Sequence, residues 1–417
     1  MRKWRFAFRV WLLLLFITGS ALAQRDTLRI VTYNLLKFPR NYGAQRVDDF
    51  RRVIRAIEPD ILVVQELETR QGLETLLNET LNIEGKDYYD AAPFQDGPDT
   101  DSGLLYNRDK VSLLAVSSLY AWPRLIMEYK LRASGVTFYI YSVHLKAGST
   151  PSDSTERLNQ ASLLRAHLNQ LPAGTPFLIV GDFNLRGSKE PAFLKLNADE
   201  ADNDGRAFDP LNVVGNWHNN PLVAKIHTQS TRADRLADGG APGGLDDRFD
   251  MILVSEAILN QNRMWMVPGS YQAFGNDGRH YNSAINANRN FAVPDSIADA
   301  LYYASDHLPV VADFVVDAAT GITVSEPERP RSFSFSPVFP NPFNADARLQ
   351  YRLSRTLPVT IELLDALGRK VRTLLEATRS AGEYTLRIEA GDLPTGVYII
   401  RARAGNWTQQ QKILLLK

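Results

Sequence analysis

Cysteine is absent from all 417 residues, which excludes disulfides and thiolate metal centres and leaves the fold to a hydrophobic core or to bound ions. Histidine is scarce, six residues in all, and no two fall at the close spacing of a zinc-binding helix or loop. Net charge is missing too: 47 Lys and Arg balance 47 Asp and Glu. The balance conceals a division, because residues 24–330 hold 30 basic and 40 acidic residues, a net −10, whereas residues 331–417 hold 13 and 7, a net +6. An acidic main region argues against tight, charge-driven binding of nucleic acid, but not against a nuclease whose metal ions neutralise phosphate locally. Beyond residue 23 no apolar run of about 20 residues occurs, so no membrane-spanning helix is expected.

What is present begins with a leader. Arg2, Lys3, Arg5 and Arg9 precede the apolar run 10–17, and Ala21-Leu22-Ala23 has the small residues of a cleavage site. Residues 1–23 therefore read as a secretory signal peptide, with Gln24 first in the exported chain. The length suits two or three domains.

The chain is organised around Phe177-Leu178-Ile179-Val180-Gly181-Asp182-Phe183-Asn184. Four apolar residues in a row suit a strand covered on both faces, and Gly181 lets the backbone turn so that Asp182 and Asn184 face one cleft. The same arrangement recurs. Strands are predicted over 28–33, ending at Asn34; over 61–64, ending at Gln65-Glu66; over 136–143, ending at His144; over 248–254, with Asp250 embedded; and over 308–316, preceded by Asp306-His307. Helical spacing marks Val47, Phe50, Ile54 and Ile57, then Leu73 to Leu81, then Leu158, Ala161, Leu164 and Leu168 behind a capping box at Asp153-Ser-Thr-Glu156. Polar residues thus collect at the ends of successive apolar strands, on one rim if the strands form packed sheets. Five prolines between Glu326 and Pro342 read as an extended linker, and the pattern beyond is all-β, as in a small antiparallel sandwich. The domain plan is a signal peptide (1–23), a catalytic domain (24–317), a linker (318–336) and a C-terminal domain (337–417).

The rim residues suggest phosphate ester hydrolysis. Glu66, Asn34 and Asp306 offer hard oxygen ligands, which suit magnesium or manganese rather than zinc. Asp182 is a poor base in isolation and needs either burial beside other acids or a water acidified by metal. Asn184 could hold an oxyanion. His144 and His307 could contact phosphate when protonated or pass a proton, with an acid such as Asp250 orienting one imidazole.

Thr32-Tyr-Asn34-Leu, Gln65-Glu66, Ser142-Val-His144-Leu-Lys146, Gly181-Asp-Phe-Asn184, Phe249-Asp250 and Ser305-Asp-His307-Leu-Pro309 resemble, in order, the motifs of the endonuclease/exonuclease/phosphatase superfamily, the pancreatic-deoxyribonuclease-like fold. The resemblance covers about residues 28 to 316 and implies an α/β, four-layer sandwich of two mixed β-sheets flanked by helices. It implies that Glu66 binds metal with Asn34 nearby, Asp182 orients or deprotonates the attacking water, and Asn184 steadies the phosphorus. His144 and His307, the latter paired with Asp250, would contact the scissile phosphate, and Asp306 would be a second ligand or an orienting group. The C-terminal segments Phe339-Pro-Asn-Pro-Phe-Asn344, Leu367-Gly-Arg369, Leu393-Pro-Thr-Gly-Val-Tyr398 and Lys412 to Lys417 are similar to the sorting domain of the type IX secretion system. That implies an immunoglobulin-like sandwich, the type IX machinery as partner, and release or surface attachment.

Other signals are weaker. Glu200 to Gly205 imitates the start of a calcium loop, a candidate structural Ca2+ site that lacks its closing Glu at Leu211. The polar segment His227 to Arg232 could line the cleft, with Arg232 a candidate phosphate contact; His167 reads as exposed, and His218 and His280 have no evident partners. Residues 122–126 and 264–267 read as core strands rather than lipid contacts. The expected protein is a secreted monomer with no stable protein partner, an endonuclease on DNA or RNA. Its rivals are a phospholipid, sphingomyelin or inositol phosphate phosphoesterase with the same site, and a non-catalytic surface adhesin.

Overall fold

Burial of both faces along single strands sets the architecture. Every residue of Phe177–Asp182 is buried, and alternate side chains enter different layers. Leu178 and Val180 join Ile30, Val63, Phe138 and Phe314 in one cluster, while Phe177 and Ile179 join Leu164 and Leu168 in another. The computed structural model describes residues 25–40, 42–317, 333–335, 338, 341, 343–353, 356–365, 368–404 and 407–416. The expected signal peptide and residues 318–332 and 336 of the expected linker lie outside them.

The chain begins with β1 (Arg25–Phe38), α1 (Gly43–Ile57), β2 (Ile61–Leu67), α2 (Arg70–Leu76), β3 (Tyr89–Ala91) and β4 (Asp101–Asn107). It continues through β5 (Ser112–Ala121), β6 (Arg124–Ala133), β7 (Val136–His144), α3 (Pro151–Leu168), β8 (Phe177–Asp182), α4 (Pro191–Asn197) and β9 (Ala207–Phe208). After a long irregular stretch come β10 (Asp250–Ser255), α5 (Glu256–Leu259), β11 (Met264–Met266), β12 (Gln272–Ala273), α6 (Asp295–Ala304) and β13 (Val310–Asp317). One sheet has the order β11-β13-β1-β2-β4-β3, with β12 also on β13; the other has the order β5-β6-β7-β8-β10-β9. The sheets share the core that holds Leu178 and Val180. Phe50, Val53 and Ile57 of α1 and Leu301 of α6 cover the outer face of the first sheet, and α3 and α4 cover the second through Ala161, Leu164, Phe193 and Leu196. The result is the four-layer α/β sandwich.

Local details depart from expectation where tertiary contacts override sequence signals. The capping box is Thr150 with Asp153, one turn earlier than expected: Asp153 N–H donates to Thr150 Oγ1 at 3.2 Å and Thr150 N–H to Asp153 Oδ2 at 3.0 Å. Pro151 at the first helical position favours that start. The helix expected over Leu73 to Leu81 is α2 followed by a π-helical turn, Leu77–Leu81.

The C-terminal unit is a separate all-β body. Strands β14 (Phe333–Phe335), β15 (Asp346–Leu353), β16 (Leu357–Asp365), β17 (Lys370–Arg379), β18 (Gly382–Glu389), β19 (Gly396–Ala404) and β20 (Trp407–Leu415) form two sheets, β14-β15-β18 and β17-β16-β19-β20. Leu349, Ile361, Ile388, Ile400 and Ile413 share its core. Its first strand falls within the stretch assigned to the linker.

Candidate active site

Strand register gathers the site. Parallel β7 and β8 set His144 beside Asp182, and antiparallel β10 sets Asp250 on the other side of Asp182. In the first sheet, parallel β1 and β2 set Asn34 opposite Gln65. Because β13 runs antiparallel to β1, with Val310 opposite Thr32, the residues just before it, Asp306 and His307, reach the same rim. Carboxyl ends of parallel strands and amino ends of their antiparallel neighbours therefore meet at one edge.

The backbone is contorted where the chemistry sits. Glu66 and Asn184 hold left-handed conformations, φ 55° and 52°, which cost a residue with a Cβ of order 1 kcal/mol or more and mark a site held by its surroundings. Gly181, at φ 133°, has no substitute: a Cβ there would lie 2.0 Å from the Val143 carbonyl oxygen.

Asp182 is the centre. Its Oδ1 accepts the Asn184 N–H at 2.9 Å, and its Oδ2 accepts the Asn34 side-chain N–H at 3.1 Å. His144 Nε2 lies 3.6 Å and His307 Nε2 3.9 Å from Asp182 Oδ2. Burial, reinforced by Asp250 and Glu66, pushes the Asp182 carboxyl up to about 7 despite the opposing pull of His307. Burial also raises Glu66, with help from Asp306. Burial opposes a charge on His307, but Asp250, whose Oδ2 lies 2.7 Å from Nδ1, together with Asp306 and Asp182, holds its pKa well above the ordinary value. His144 goes the other way: burial, with Arg124 and His307 repelling a proton, holds it well below the ordinary range, and its Nδ1 has no hydrogen-bond partner.

The residues fit a hard divalent cation. Ligand atoms of Glu66, His144 and Asp182, and again of Asp182, Asp250 and His307, lie within 4.8 Å of one another. Buried Oδ1 atoms of Asp250 and Asp306 have no hydrogen-bond partner, and the excess of buried carboxylate that raises Asp182 and Glu66 is what a cation would relieve. An oxygen-dominated set suits such an ion. Asn34 lies at the centre of these acids. Its Oδ1 accepts the Leu36 N–H at 3.0 Å while its amide nitrogen spans Glu66 Oε1 and Asp182 Oδ2, each at 3.1 Å.

Gln229 and Arg124 had no assigned role in the sequence. Gln229 sets its amide nitrogen 3.2 Å from Asp306 Oδ2 and 2.7 Å from His307 Nε2. Beneath the rim Gln65 joins the sheets, accepting from Thr32 Oγ1 at 3.1 Å and donating to Ser142 Oγ at 3.0 Å. Arg124 donates to the carbonyls of His144 and Leu145 at 3.4 and 3.2 Å. A polar residue in an irregular segment, or one inside a strand, gives no pattern by which to find it.

Other candidates lie elsewhere. Arg232 is fully buried, paired with Asp238 at 2.7 Å and donating to the Tyr302 and Tyr303 carbonyls, so it is no phosphate contact. His218, His280 and His167 all have partners: Asp247 at 2.8 Å, Asp277 at 2.9 Å and Glu128 at 2.6 Å. The calcium-like loop packs against Arg165, whose guanidinium donates to Asp202 O and Asn203 Oδ1, and Glu200 is taken by Lys195 at 2.6 Å. Trp122 is exposed at the β5–β6 turn, beside Tyr120, and only Ile126 of that stretch is core.

A model of the endonuclease/exonuclease/phosphatase family matches residues 31–307, and one of the secretion system C-terminal sorting domain matches residues 337–416. No curated protein matches the chain. Among solved structures, zebrafish (D. rerio) TDP2 in complex with a single-strand DNA product is 17% identical, covering 69% of this chain and 99% of its own, with a TM-score of 0.46. An endonuclease/exonuclease/phosphatase family protein from Bacteroides thetaiotaomicron is 16% identical over 71% and 97% of the two chains, with a TM-score of 0.44. The human Nocturnin catalytic domain with bound sulfate is 17% identical over 70% and 97%, with a TM-score of 0.43.

Proposed function

The chain belongs to the endonuclease/exonuclease/phosphatase family of metal-dependent phosphoric ester hydrolases, with a secretion sorting domain behind its catalytic domain, and on that premise we propose that it is an extracellular endonuclease that hydrolyses DNA or RNA. One observation carries the reading: a buried carboxylate pushed up to about 7 stands between two histidines held in opposite charge states. Asp182, ionised near neutrality, orients the attacking water and takes its proton as the new P–O bond forms and the ester P–O bond breaks. His307, favoured in its charged form and steadied by Asp250, contacts the scissile phosphate, and neutral His144 provides an uncharged contact on the opposite side. Asn184 steadies the phosphorus centre, and Asn34 fixes Glu66 and Asp182 in orientation. Glu66 and Asp306 would hold magnesium or manganese, which when bound polarises the phosphoryl group and stabilises negative charge on the leaving oxygen.

A second reading, a phospholipid or inositol phosphate phosphoesterase with the same machinery, draws on the exposed Tyr120–Trp122 pair at the β5–β6 turn, since exposed aromatics also suit a lipid interface. The deciding experiment is hydrolysis of plasmid DNA, RNA, sphingomyelin vesicles and inositol phosphates, with magnesium, manganese or chelator, using His144→Ala and Asp182→Asn as controls. Metal-dependent nicking lost in both variants is the expected result. Turnover confined to vesicles or inositol phosphates moves the function to the second reading, and no turnover of any substrate overturns both in favour of an adhesin.

A further inference from the structure

The loop between β12 and α6 carries a feature the hydrolytic site does not use. The guanidinium carbons of Arg279 and Arg289 lie 4.4 and 5.2 Å from the ring centroid of Phe291. Phe291 is 60% exposed, and both arginines are exposed. Some exposed arginines pair with acids, as Arg25 does with Asp317, Arg55 with Glu84 and Arg369 with Asp365, while others, such as Arg70, Arg132 and Arg235, do not. Among the described residues neither Arg279 nor Arg289 has an ion-pair partner.

The cluster is held in place rather than left to chance. Asp277 accepts the Arg279 N–H and the His280 ring nitrogen on Oδ1, at 2.8 and 2.9 Å, and the Phe291 N–H on Oδ2, at 3.1 Å. Its oxygens thus clamp the two ends of the loop together while leaving the guanidinium groups unpaired. Two like charges close to one ring repel each other, and a bound anion would lower that cost. The loop starts close to a strand that feeds the site. β12 pairs Ala273 with Val310, and the Phe274 N–H reaches the Pro309 carbonyl at 2.8 Å, so the chain leaves the sheet alongside the segment that leads back to His307.

Resting on the nuclease reading above, we propose that Arg279, Arg289 and Phe291 form a docking site for a single-stranded nucleic acid. The two guanidinium groups take backbone phosphates, and the ring takes an unpaired base. A domain of net −10 cannot hold a polyanion through its overall field, so a local cationic site with a stacking face is the means left to it. The surroundings favour a polynucleotide over a membrane: Phe291 is the one large exposed apolar side chain between residues 274 and 294, in a loop with Asn276, Asn282, Asn286, Asn288 and Asn290. Lipid insertion needs a larger apolar face.

The test compares the wild-type protein with Arg279→Gln/Arg289→Gln and with Phe291→Leu on a short oligothymidylate and on bis-p-nitrophenyl phosphate, which is too small to span both places. In the double variant KM for the oligomer should rise roughly tenfold, and the slope of log affinity against log salt should fall by about 1.4, the value for two phosphate contacts on a single strand. Phe291→Leu should raise KM roughly fivefold or more, with the slope unchanged. Both variants should keep the wild-type kcat/KM on the small diester and the wild-type melting temperature. Unchanged KM and salt slope in the double variant overturn the proposal. If the wild-type protein cleaves neither substrate, the nuclease reading fails, and oligomer binding by anisotropy decides this one: binding lost in the double variant sustains it, and no binding by wild type ends it. Sedimentation with anionic phosphatidylglycerol vesicles through the same arginines, without oligomer binding, also ends it.

Discussion

The two histidines at the rim stand at almost equal distances from one carboxylate oxygen and differ in what lies behind them. His307 Nδ1 rests on Asp250 at 2.7 Å, whereas His144 Nδ1 rests on nothing. Together with Asp306 and Asp182 around His307, and Arg124 near His144, that difference pushes two equally buried imidazoles in opposite directions, His307 toward the charged form and His144 toward the neutral one. Position relative to Asp182 fixes where each can act, and the partner behind fixes in which charge state.

The comparison breaks most visibly on removing each ring. His307→Ala should lower kcat/KM for a phosphodiester by roughly 10³- to 10⁴-fold, and His144→Ala by a smaller factor, roughly 10²-fold; equal losses would mean that charge state does not separate their roles. A gentler change makes the two alike. Asp250→Asn should cost roughly 10²-fold in kcat and return the His307 titration toward the ordinary histidine range, followed by NMR of the ring signals in metal-free protein. An unmoved titration would show that Asp306 and Asp182 suffice to hold the charge.

The smallest effect concerns stability. With Asp182 raised from 3.8 to about 7 in the folded protein, the folded state keeps a proton between about pH 4 and pH 7 that the unfolded chain has released, so this group's contribution to stability is lost as pH rises through that window. In metal-free protein, melting temperatures across the window should therefore fall less with rising pH in Asp182→Asn than in wild type. Parallel curves for the two proteins would place the proton elsewhere.

Much of the fold was legible because burial on both faces leaves a plain mark. Apolar runs such as Ile61 to Val64 and Phe177 to Val180 read as covered strands, and polar residues at their ends pointed to one rim. What escaped notice depends on contacts far apart in the chain. Helix α6 buries Ala298, Ala300 and Ala304 beside a single Leu301, too little bulk for an apolar stripe. Gln229 reaches His307 only because its backbone bridges Asp247 and His307 across the irregular stretch. Arg232 reads in sequence as a cleft cation, yet burial with Asp238 makes it a structural one. That the side-chain oxygen of Asn34 also accepts the Leu36 N–H depends on the left-handed turn there, which no sequence pattern announces.

The row His144, Asp182, Asp250 crosses three neighbouring strands at a single level of the ladder. Side chains alternate between faces, so a slip of one residue in either pairing would send one of these groups into the opposite layer. No partly ordered sheet could hold all three at once. Turnover is therefore a sensitive gauge of whether exported chains have completed their strand pairing, and a preparation's specific activity reports the fraction of molecules in correct register.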